Sequence, residues 1–264
     1  MFAEDEAELL RTATSDAGQL EQLVTRRVDG EPLEYVLGWA EFAGLRLRVA
    51  PGVFVPRRRT ELLLRLALAS LRGDPSLPHA QSSRRAEPTP RAEGSAQARE
   101  APHVLELCCG VAPVATAVGA RMPEASVIAA DIDPDAVAVA TENLAPLGGR
   151  AIESDLFAAL PAGTQFDVIV ANAPYVPSAE LVHMPREARE FEHTIALDGG
   201  PDGLLLHRSI AADAAAWLSP GGVVLVETSR RQADADREIF ATHGWRVEIV
   251  RDDDLDATAV RAMR

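Results

Sequence analysis

The chain has no lysine, little cysteine and no long hydrophobic run. Arginine supplies every basic side chain, which we attribute to codon bias. Acidic residues outnumber basic ones by 40 to 26, giving a formal charge of −14. Binding to phosphate backbones depends on clustered cations, so this balance disfavours nucleic acid as a substrate. With 264 residues and 47% hydrophobic composition, the chain is long enough to bury a sizeable core.

The two cysteines, Cys108 and Cys109, are adjacent. This spacing fits neither a C-x-x-C redox pair nor a zinc site, and a reducing compartment suits it best. The sequence also lacks a run of 18 apolar residues and an opening basic segment followed by an apolar one, the marks of membrane helices and signal peptides. We therefore expect a cytoplasmic protein with no bound metal and no membrane partner. A Gly-x-Ser-x-Gly elbow is absent, so hydrolase chemistry has no support.

The periodicity of apolar residues changes twice before residue 72. Helical spacing within residues 3–28 predicts two short helices. Residues 41–55 alternate instead, and Pro51-Gly52 is a turn signal, so a β-hairpin is expected there. A further helix is expected over residues 61–71.

Residues 73–102 contain scattered prolines among Ala, Arg, Ser and Glu, with scarcely one large apolar side chain. Such a segment cannot bury enough apolar surface to order itself, so we interpret it as a flexible linker or insertion. The sequence thus predicts a helical and hairpin region over residues 1–72, the linker over 73–102 and a second domain over 103–264.

In the second domain, strands alternate with helices. This order implies an α/β fold with a parallel, doubly wound sheet. The acidic turn at residues 252–256 predicts a closing antiparallel hairpin, so we expect a mostly parallel, seven-stranded, Rossmann-like sheet. Strands are predicted at 103–108, 126–131, 151–155, 166–172, 222–228, 245–250 and 258–263, and helices at 112–121, 134–144, 205–218 and 230–242.

Ligands of doubly wound sheets bind beyond the carboxyl ends of the strands. The first strand contains Glu106 and runs into a turn where Gly110 allows close approach to a ligand and Cys108 is small enough not to block it. Alone, this turn is equally compatible with an ordinary strand-to-helix connection. Asp131 ends the second strand, where a carboxylate accepts hydrogen bonds from the ribose hydroxyls of an adenosine-containing ligand.

The third strand ends near Asp155 and Leu156, which are expected to border an adenine ring. A capping role for Asp155 is equally compatible with its position, and Asp133 is expected to cap the helix that begins at Pro134. Adenosine sites serve dinucleotides, nucleotides and S-adenosylmethionine, and these residues alone do not distinguish the three ligands.

The fourth strand is followed by Asn172-Ala173-Pro174-Tyr175. This tetrapeptide suits methylation of a planar, nearly non-basic nitrogen, because the Asn172 side-chain oxygen and a backbone carbonyl can accept both N–H bonds of an amide or aromatic amine. Acceptors held in place in this way stabilise the charge that develops in the transition state. Tyr175 is expected to stack on the planar amide or aromatic amine that these acceptors bind. The motif favours S-adenosylmethionine as the cofactor.

Several blocks together carry a resemblance to a known family. From Glu31 onward, apart from the linker, the chain resembles the protein-(glutamine-N5) methyltransferases that modify the glutamine of the Gly-Gly-Gln loop in peptide chain release factors. The blocks are Pro32-Leu33-Glu34-Tyr35-Val36-Leu37-Gly38, Pro51-Gly52-Val53-Phe54-Val55-Pro56-Arg57, Thr60-Glu61-Leu62-Leu63, residues 106–112, Asp131, residues 172–177, and Ala196-Leu197-Asp198-Gly199-Gly200 with Asp202-Gly203.

The resemblance implies a class I methyltransferase fold preceded by a substrate-recognition region, and a protein substrate that is a release factor or a related translation protein. It implies that residues 106–112 hold the methionine part of S-adenosylmethionine and that Asp131 holds its ribose. It also implies that Asn172 binds the target amide beside the transferred methyl, and that the Ala173 carbonyl takes the second amide hydrogen.

The chain departs from the family pattern at several positions. Ala173 stands where the family usually has proline, although a residue before Pro174 keeps its extended bias. The turn at residues 106–112 has one glycine where the family commonly has three. Arg58 and Arg59 form a more basic turn, either solvated or contacting an acidic partner, and the amino-terminal helical region is short. These differences predict a paralogue group with Asn-Ala-Pro-Tyr in place of Asn-Pro-Pro-Tyr.

Two other functions stay open at this point. Similar Asn-x-Pro-aromatic motifs grip the amino group of adenine, so methylation of DNA or RNA is one alternative, which the acidic charge disfavours. A degenerate cofactor-binding protein without catalysis is the other, because the turn is poor in glycine. A charged, solvent-facing helix explains the remaining potential metal ligands better than a metal site. These ligands are His183, Glu187, Glu190 and His193.

Overall fold

The computed structural model describes residues 3–74 and 101–264. Most of the predicted linker, residues 75–100, lies outside the described residues. The amino-terminal elements include two helices within the range predicted for them and a short helix, α3, that the sequence did not predict. They are α1 (Ala3–Ala13), α2 (Ala17–Val28), α3 (Leu33–Leu37), β1 (Trp39–Phe42), β2 (Leu45–Arg48) and α4 (Glu61–Arg72).

The predicted hairpin exists, but its turn lies elsewhere. Strands β1 and β2 pair in antiparallel fashion around Ala43-Gly44, and both turn residues have positive φ, 50° and 80°. A two-residue turn with two left-handed residues matches the twist of a hairpin. Pro51-Gly52, the predicted turn, follows β2 instead and brings the backbone beside His193, whose N–H donates to the Gly52 carbonyl at 2.7 Å.

The remaining elements alternate between strands and helices, as predicted. Their boundaries differ from the predicted ones by a few residues, most at α8, which ends at Asp213 rather than at residue 218, and at β7, which begins at Leu218 rather than at residue 222. They are β3 (His103–Leu107), α5 (Pro113–Arg121), β4 (Ser126–Asp131), α6 (Pro134–Leu144), β5 (Arg150–Glu153), β6 (Phe166–Ala171), α7 (Arg186–Phe191), α8 (Leu205–Asp213), β7 (Leu218–Thr228), α9 (Ala233–Thr242), β8 (Arg246–Asp252) and β9 (Ala257–Met263).

The seven strands from β3 to β9 form one sheet in the order β5-β4-β3-β6-β7-β9-β8. The first five strands of this order run parallel, whereas β9 is antiparallel to β7 and β8. The central strands are mostly buried and mostly apolar because helices cover both faces of the sheet. This arrangement confirms the predicted fold class, including the closing hairpin of β8 and β9.

The register of the central strands aligns their carboxyl ends. Leu107 of β3 pairs with Ala130 of β4 on one side and with Ala171 of β6 on the other. The residues that follow these three positions therefore emerge at the same edge of the sheet.

Helix α4 packs on this sheet beside α5, so residues on both sides of the predicted linker share a core. Leu63 and Leu66 of α4 belong to the same buried cluster as Val118, Val168 and Leu225. Within residues 3–74 and 101–264, the helices are too short or too polar to cross a membrane.

Truncation of a buried α4 side chain tests this shared core. Leu66 is 2% exposed, and Leu66→Ala is expected to lower the free energy of unfolding by about 2–5 kcal/mol because it leaves a cavity against the sheet. Val28 is 79% exposed, so Val28→Ala should change stability by less than about 0.5 kcal/mol. Urea unfolding measures both, and equal effects of the two variants would contradict the packing of α4.

Candidate active site

The carboxyl ends of β3, β4 and β6 open onto a cavity of about 190 Å³. Its walls also contain residues from the amino-terminal region, among them Phe54 and Thr60, which the sequence analysis did not assign to the site. A wider cleft at the opposite edge of the sheet contains none of the predicted site residues. The predicted residues that line the cavity are Glu106, Cys108, Gly110, Asp131, Asp155, Leu156, Asn172 and Pro174.

The turn after β3 contains three residues with left-handed φ, and one of them is glycine. Cys108, Gly110 and Ala112 have φ values of 49°, 52° and 58°. Left-handed φ costs roughly 1–2 kcal/mol for a residue with a Cβ atom. An added Cβ at Gly110 would lie 3.7 Å from its nearest neighbour, the Phe54 carbonyl oxygen, so the backbone angle and not space requires glycine there.

Glu106 holds the start of α5. One of its carboxylate oxygens accepts the Val114 N–H at 3.2 Å and the other accepts the Ala115 N–H at 2.6 Å. Burial raises the pKa of Glu106 to about 8, although these two hydrogen bonds act in the opposite direction. The side chain is 3% exposed and borders the cavity.

Asp131 connects the first two loops of the site. Its Oδ2 accepts the Gly110 N–H at 2.8 Å and its Oδ1 accepts the Asp133 N–H at 3.0 Å. Burial raises the pKa of Asp131, and those N–H groups partly offset the effect. Asp133 caps α6 as predicted, because its Oδ1 accepts the Asp135 N–H at 2.9 Å. The carboxylate of Asp131 thus lies at the cavity wall, tied to the turn that contains Gly110.

The alternative capping role for Asp155 does not appear in the structure. Among the described residues, the carboxylate of Asp155 has no hydrogen-bond partner, and its side chain is exposed at the cavity. Ser154 acts locally instead: its hydroxyl accepts the Ala159 N–H at 2.9 Å and donates to the Leu156 carbonyl at 2.8 Å.

Only some residues of the tetrapeptide after β6 line the cavity. Asn172 is half-buried at the cavity wall, and its Nδ2 lies 3.3 Å from Thr60 Oγ1. Ala173 is fully buried. The Tyr175 ring is not among the cavity walls, because it lies under the Arg59 guanidinium, 5.8 Å from the ring centroid, and its hydroxyl donates to Glu227 at 3.4 Å.

Two glycines let a second loop approach the tetrapeptide. A Cβ atom added at Gly199 would come within 2.7 Å of the Pro174 carbonyl oxygen, and one at Gly203 within 2.3 Å of the Tyr175 carbonyl oxygen. The Gly199 N–H also donates to the Val176 carbonyl at 2.8 Å. This close contact explains the spacing of glycines in the Asp198 to Gly203 block.

The amino-terminal region is attached to the site through Glu192. This buried carboxylate accepts hydrogen bonds from the Arg57 side chain and from the Val55 N–H. Burial raises the pKa of Glu192, and Arg57 opposes the shift. Gly52 contacts His193 so closely that a Cβ atom would lie 2.3 Å from the ring.

Three of the four residues rejected as metal ligands have separate partners, and the fourth, His183, is exposed. Glu187 pairs with Arg27, Glu190 pairs with Arg186, and His193 Nδ1 lies 2.7 Å from Asp133. Asp133, Asp135 and His193 do bring potential ligand atoms within 4.8 Å of one another, but helix capping and the hydrogen bond between Asp133 and His193 account for that grouping.

Replacement of Cys108 tests the strain in the first turn. Cys108→Gly and Cys108→Ala both remove the thiol, so their difference isolates the cost of a Cβ atom at positive φ. The glycine variant is expected to be more stable than the alanine variant by about 1 kcal/mol. Thermal or urea unfolding measures this difference, and a more stable alanine variant would show that residue 108 is not left-handed.

The raised pKa of Glu106 predicts a pH dependence of stability. A carboxyl group whose folded-state pKa lies above its unfolded value binds more protons when folded, so its contribution to stability falls as pH rises from about 4.5 to about 8. The stability of Glu106→Gln relative to the unsubstituted protein should therefore increase over this window, by up to about 1.4 kcal/mol per pH unit. Urea unfolding at pH 5, 6.5 and 8 tests this, and a difference that stays constant would contradict it.

Residues 95–188 match the family model of the methyltransferase small domain. The chain is 36% identical to the release factor glutamine methyltransferase of Geobacter sulfurreducens, with 84% of this chain and 69% of the relative covered. It is also 36% identical to the enzyme of that name from Bordetella pertussis, with 85% and 74% covered.

A solved methyltransferase from Pyrococcus furiosus matches the fold with a TM-score of 0.55 and 13% identity, covering 94% of this chain and 98% of that one. At this identity the likeness shows the fold alone. The family follows from the curated relatives, which exceed 30% identity and of which the chain covers more than two-thirds. The chain belongs to the release factor glutamine methyltransferase family.

Proposed function

We propose that the protein transfers a methyl group from S-adenosylmethionine to the side-chain amide nitrogen of a glutamine in a peptide chain release factor or a related translation protein. Family membership supports the reaction and the class of substrate. The observation that carries the proposal is the carboxamide of Asn172, which borders the same cavity as Asp131 and the turn after β3. The proposal also keeps the cytoplasm as the expected location.

The residues of the cavity fit S-adenosylmethionine chemically. Asp131 would accept hydrogen bonds from the ribose hydroxyls, and Asp155 with Leu156 would border the adenine. Glu106, Cys108 and the Gly110 turn would hold the methionine part. When bound, this cofactor supplies an electrophilic methyl group on a sulfonium.

The protein itself would hold and polarise the acceptor nitrogen. Asn172 Oδ1 and the Ala173 carbonyl would accept the two N–H bonds of the glutamine amide and draw its planar nitrogen toward tetrahedral geometry. Acceptors that are held in place before the reaction would stabilise the developing charge without reorganising. Alignment of the nitrogen with the methyl group supplies further rate. Neither a covalent intermediate nor a dedicated base is needed, because the amide proton becomes acidic after transfer and leaves to water.

The two alternative functions have less support. An adenine amino methyltransferase must hold an extruded base and a phosphate backbone, whereas this chain has a formal charge of −14 and belongs to a family named for a protein substrate. The other alternative, a degenerate cofactor-binding protein without catalysis, rests on the single glycine in the first turn. Against it, Cys108 and Ala112 adopt the left-handed φ that glycine favours, so this turn needs only one glycine to form.

Incubation with labelled S-adenosylmethionine and candidate release factors, followed by mass mapping, tests the proposal. The expected product is one methyl group on the glutamine of the Gly-Gly-Gln loop. A release factor in which that glutamine is replaced by alanine is the substrate control and should remain unlabelled. Asn172→Ala is expected to lower kcat by at least about 100-fold, the usual effect of removing one oriented polar contact to a transition state.

Cofactor affinity separates catalysis from binding in this experiment. In calorimetry, Asn172→Ala is expected to change the Kd for S-adenosylmethionine by no more than about threefold. A tenfold change would mean the loss of about 1.4 kcal/mol of binding free energy. Methylation of oligonucleotides without methylation of release factors would overturn the proposal, as would a well-folded protein that binds no cofactor.

A further inference from the structure

The buried carboxylate of Glu227 is connected to Asn172 and has no part in the proposed methyl transfer. Glu227, near the end of β7, is 2% exposed. Its Oε2 accepts a hydrogen bond from Thr60 Oγ1 at 2.7 Å. The same Thr60 oxygen lies 3.3 Å from Asn172 Nδ2. Three side chains from distant parts of the sequence therefore form one chain of hydrogen bonds that ends at the cavity.

The chemistry of each group fixes the direction of these bonds. An ionised carboxylate has no hydrogen to donate, so the Thr60 hydroxyl must donate its single hydrogen to Glu227. Only lone pairs of Thr60 Oγ1 then face Asn172. The carboxamide can meet them with its NH₂ group but not with its oxygen, which leaves the oxygen of Asn172 for the cavity.

We propose that Glu227 and Thr60 are positioning residues that hold the Asn172 carboxamide with its oxygen toward the substrate amide. The inference rests on the proposed function, in which that oxygen accepts an N–H bond of glutamine. In the reversed orientation, the NH₂ group of Asn172 would face the NH₂ group of the substrate, and two donors cannot hydrogen-bond to each other. The rate then depends on a carboxylate that does not touch the substrate.

Two further donors hold Glu227 in place. Arg59 Nε lies 3.0 Å from Glu227 Oε1, and the Tyr175 hydroxyl lies 3.4 Å from the same oxygen. Both oxygens of the buried carboxylate are therefore paired, as a buried charge requires. The basic turn at Arg58 and Arg59 thereby gains a role, because Arg59 holds Glu227, which orients Asn172 through Thr60.

Replacement of Thr60 tests the direction of the bonds with little change in shape. Thr60→Val removes the hydroxyl and is expected to lower kcat about tenfold or more, the effect of losing one hydrogen bond that orients a reacting group. Thr60→Ser keeps the hydroxyl and should restore most of that loss. Glu227→Gln should also lower kcat, because its amide can donate to Thr60 and reverse the chain. Glu248→Gln removes the same charge from a carboxylate on β8 that pairs with Arg261 and should leave kcat unchanged.

Substrate selectivity distinguishes orientation from general structural damage. A release-factor peptide with glutamate in place of the target glutamine offers acceptors instead of donors. Thr60→Val and Glu227→Gln should therefore bind the glutamine peptide more weakly and the glutamate peptide more tightly than the unsubstituted protein does. The ratio of the two inhibition or Michaelis constants should shift by about tenfold, whereas a merely loosened fold would weaken both peptides alike.

Nuclear magnetic resonance tests the orientation without any catalytic assay. In the unsubstituted protein, the Asn172 side-chain NH₂ protons should show a nuclear Overhauser effect to the Thr60 methyl group, and Glu227→Gln should weaken it. The inference would be overturned if Glu227→Gln left this nuclear Overhauser effect unchanged and kept kcat and peptide selectivity within twofold of those of the unsubstituted protein. If the unsubstituted protein fails to methylate release factors, the proposed function fails, and the resonance measurement still decides the orientation.

Discussion

Parallel pairing of β3 with β4 and β6 is the constraint on which the site depends. Because Leu107 is in register with both Ala130 and Ala171, the next residues of all three strands emerge side by side at one edge of the sheet. A shift of one residue in any strand would turn its terminal side chain to the opposite face. The buried apolar residues of these strands fix the register, so hydrophobic packing in the core determines where Asp131 and Asn172 lie.

The amino-terminal region completes the site from the other side of the cavity. Helix α4 packs on the sheet that carries Asn172, and Thr60, at its start, contacts both Glu227 and Asn172. Arg57 makes a second attachment through the buried Glu192. A region expected to recognise the substrate therefore also supports the geometry of the asparagine, which couples recognition to the proposed chemistry.

The sequence predicted the fold class, the family, the class of enzyme and the cofactor, and the relatives and the fold confirm these predictions. Apolar strands and the rule that ligands bind at their carboxyl ends also indicated Asp131 and Asn172. The predicted position of the turn in the first hairpin was wrong, because Ala43-Gly44 is a weaker turn signal than Pro51-Gly52. Thr60 and Glu227 could not be predicted, because residues separated by 167 positions meet through tertiary packing, which leaves no periodic pattern in the sequence.

The central claim is that the oxygen of Asn172 accepts a hydrogen bond from the nitrogen to be methylated. A crystal structure with S-adenosylhomocysteine and a glutamine peptide from the release factor loop tests it most directly. The account predicts a distance of about 2.9 Å between Asn172 Oδ1 and the glutamine amide nitrogen, with Asn172 Nδ2 still on Thr60. A glutamine bound away from Asn172, or an Asn172 amide rotated so that its nitrogen faces the peptide, would contradict the account.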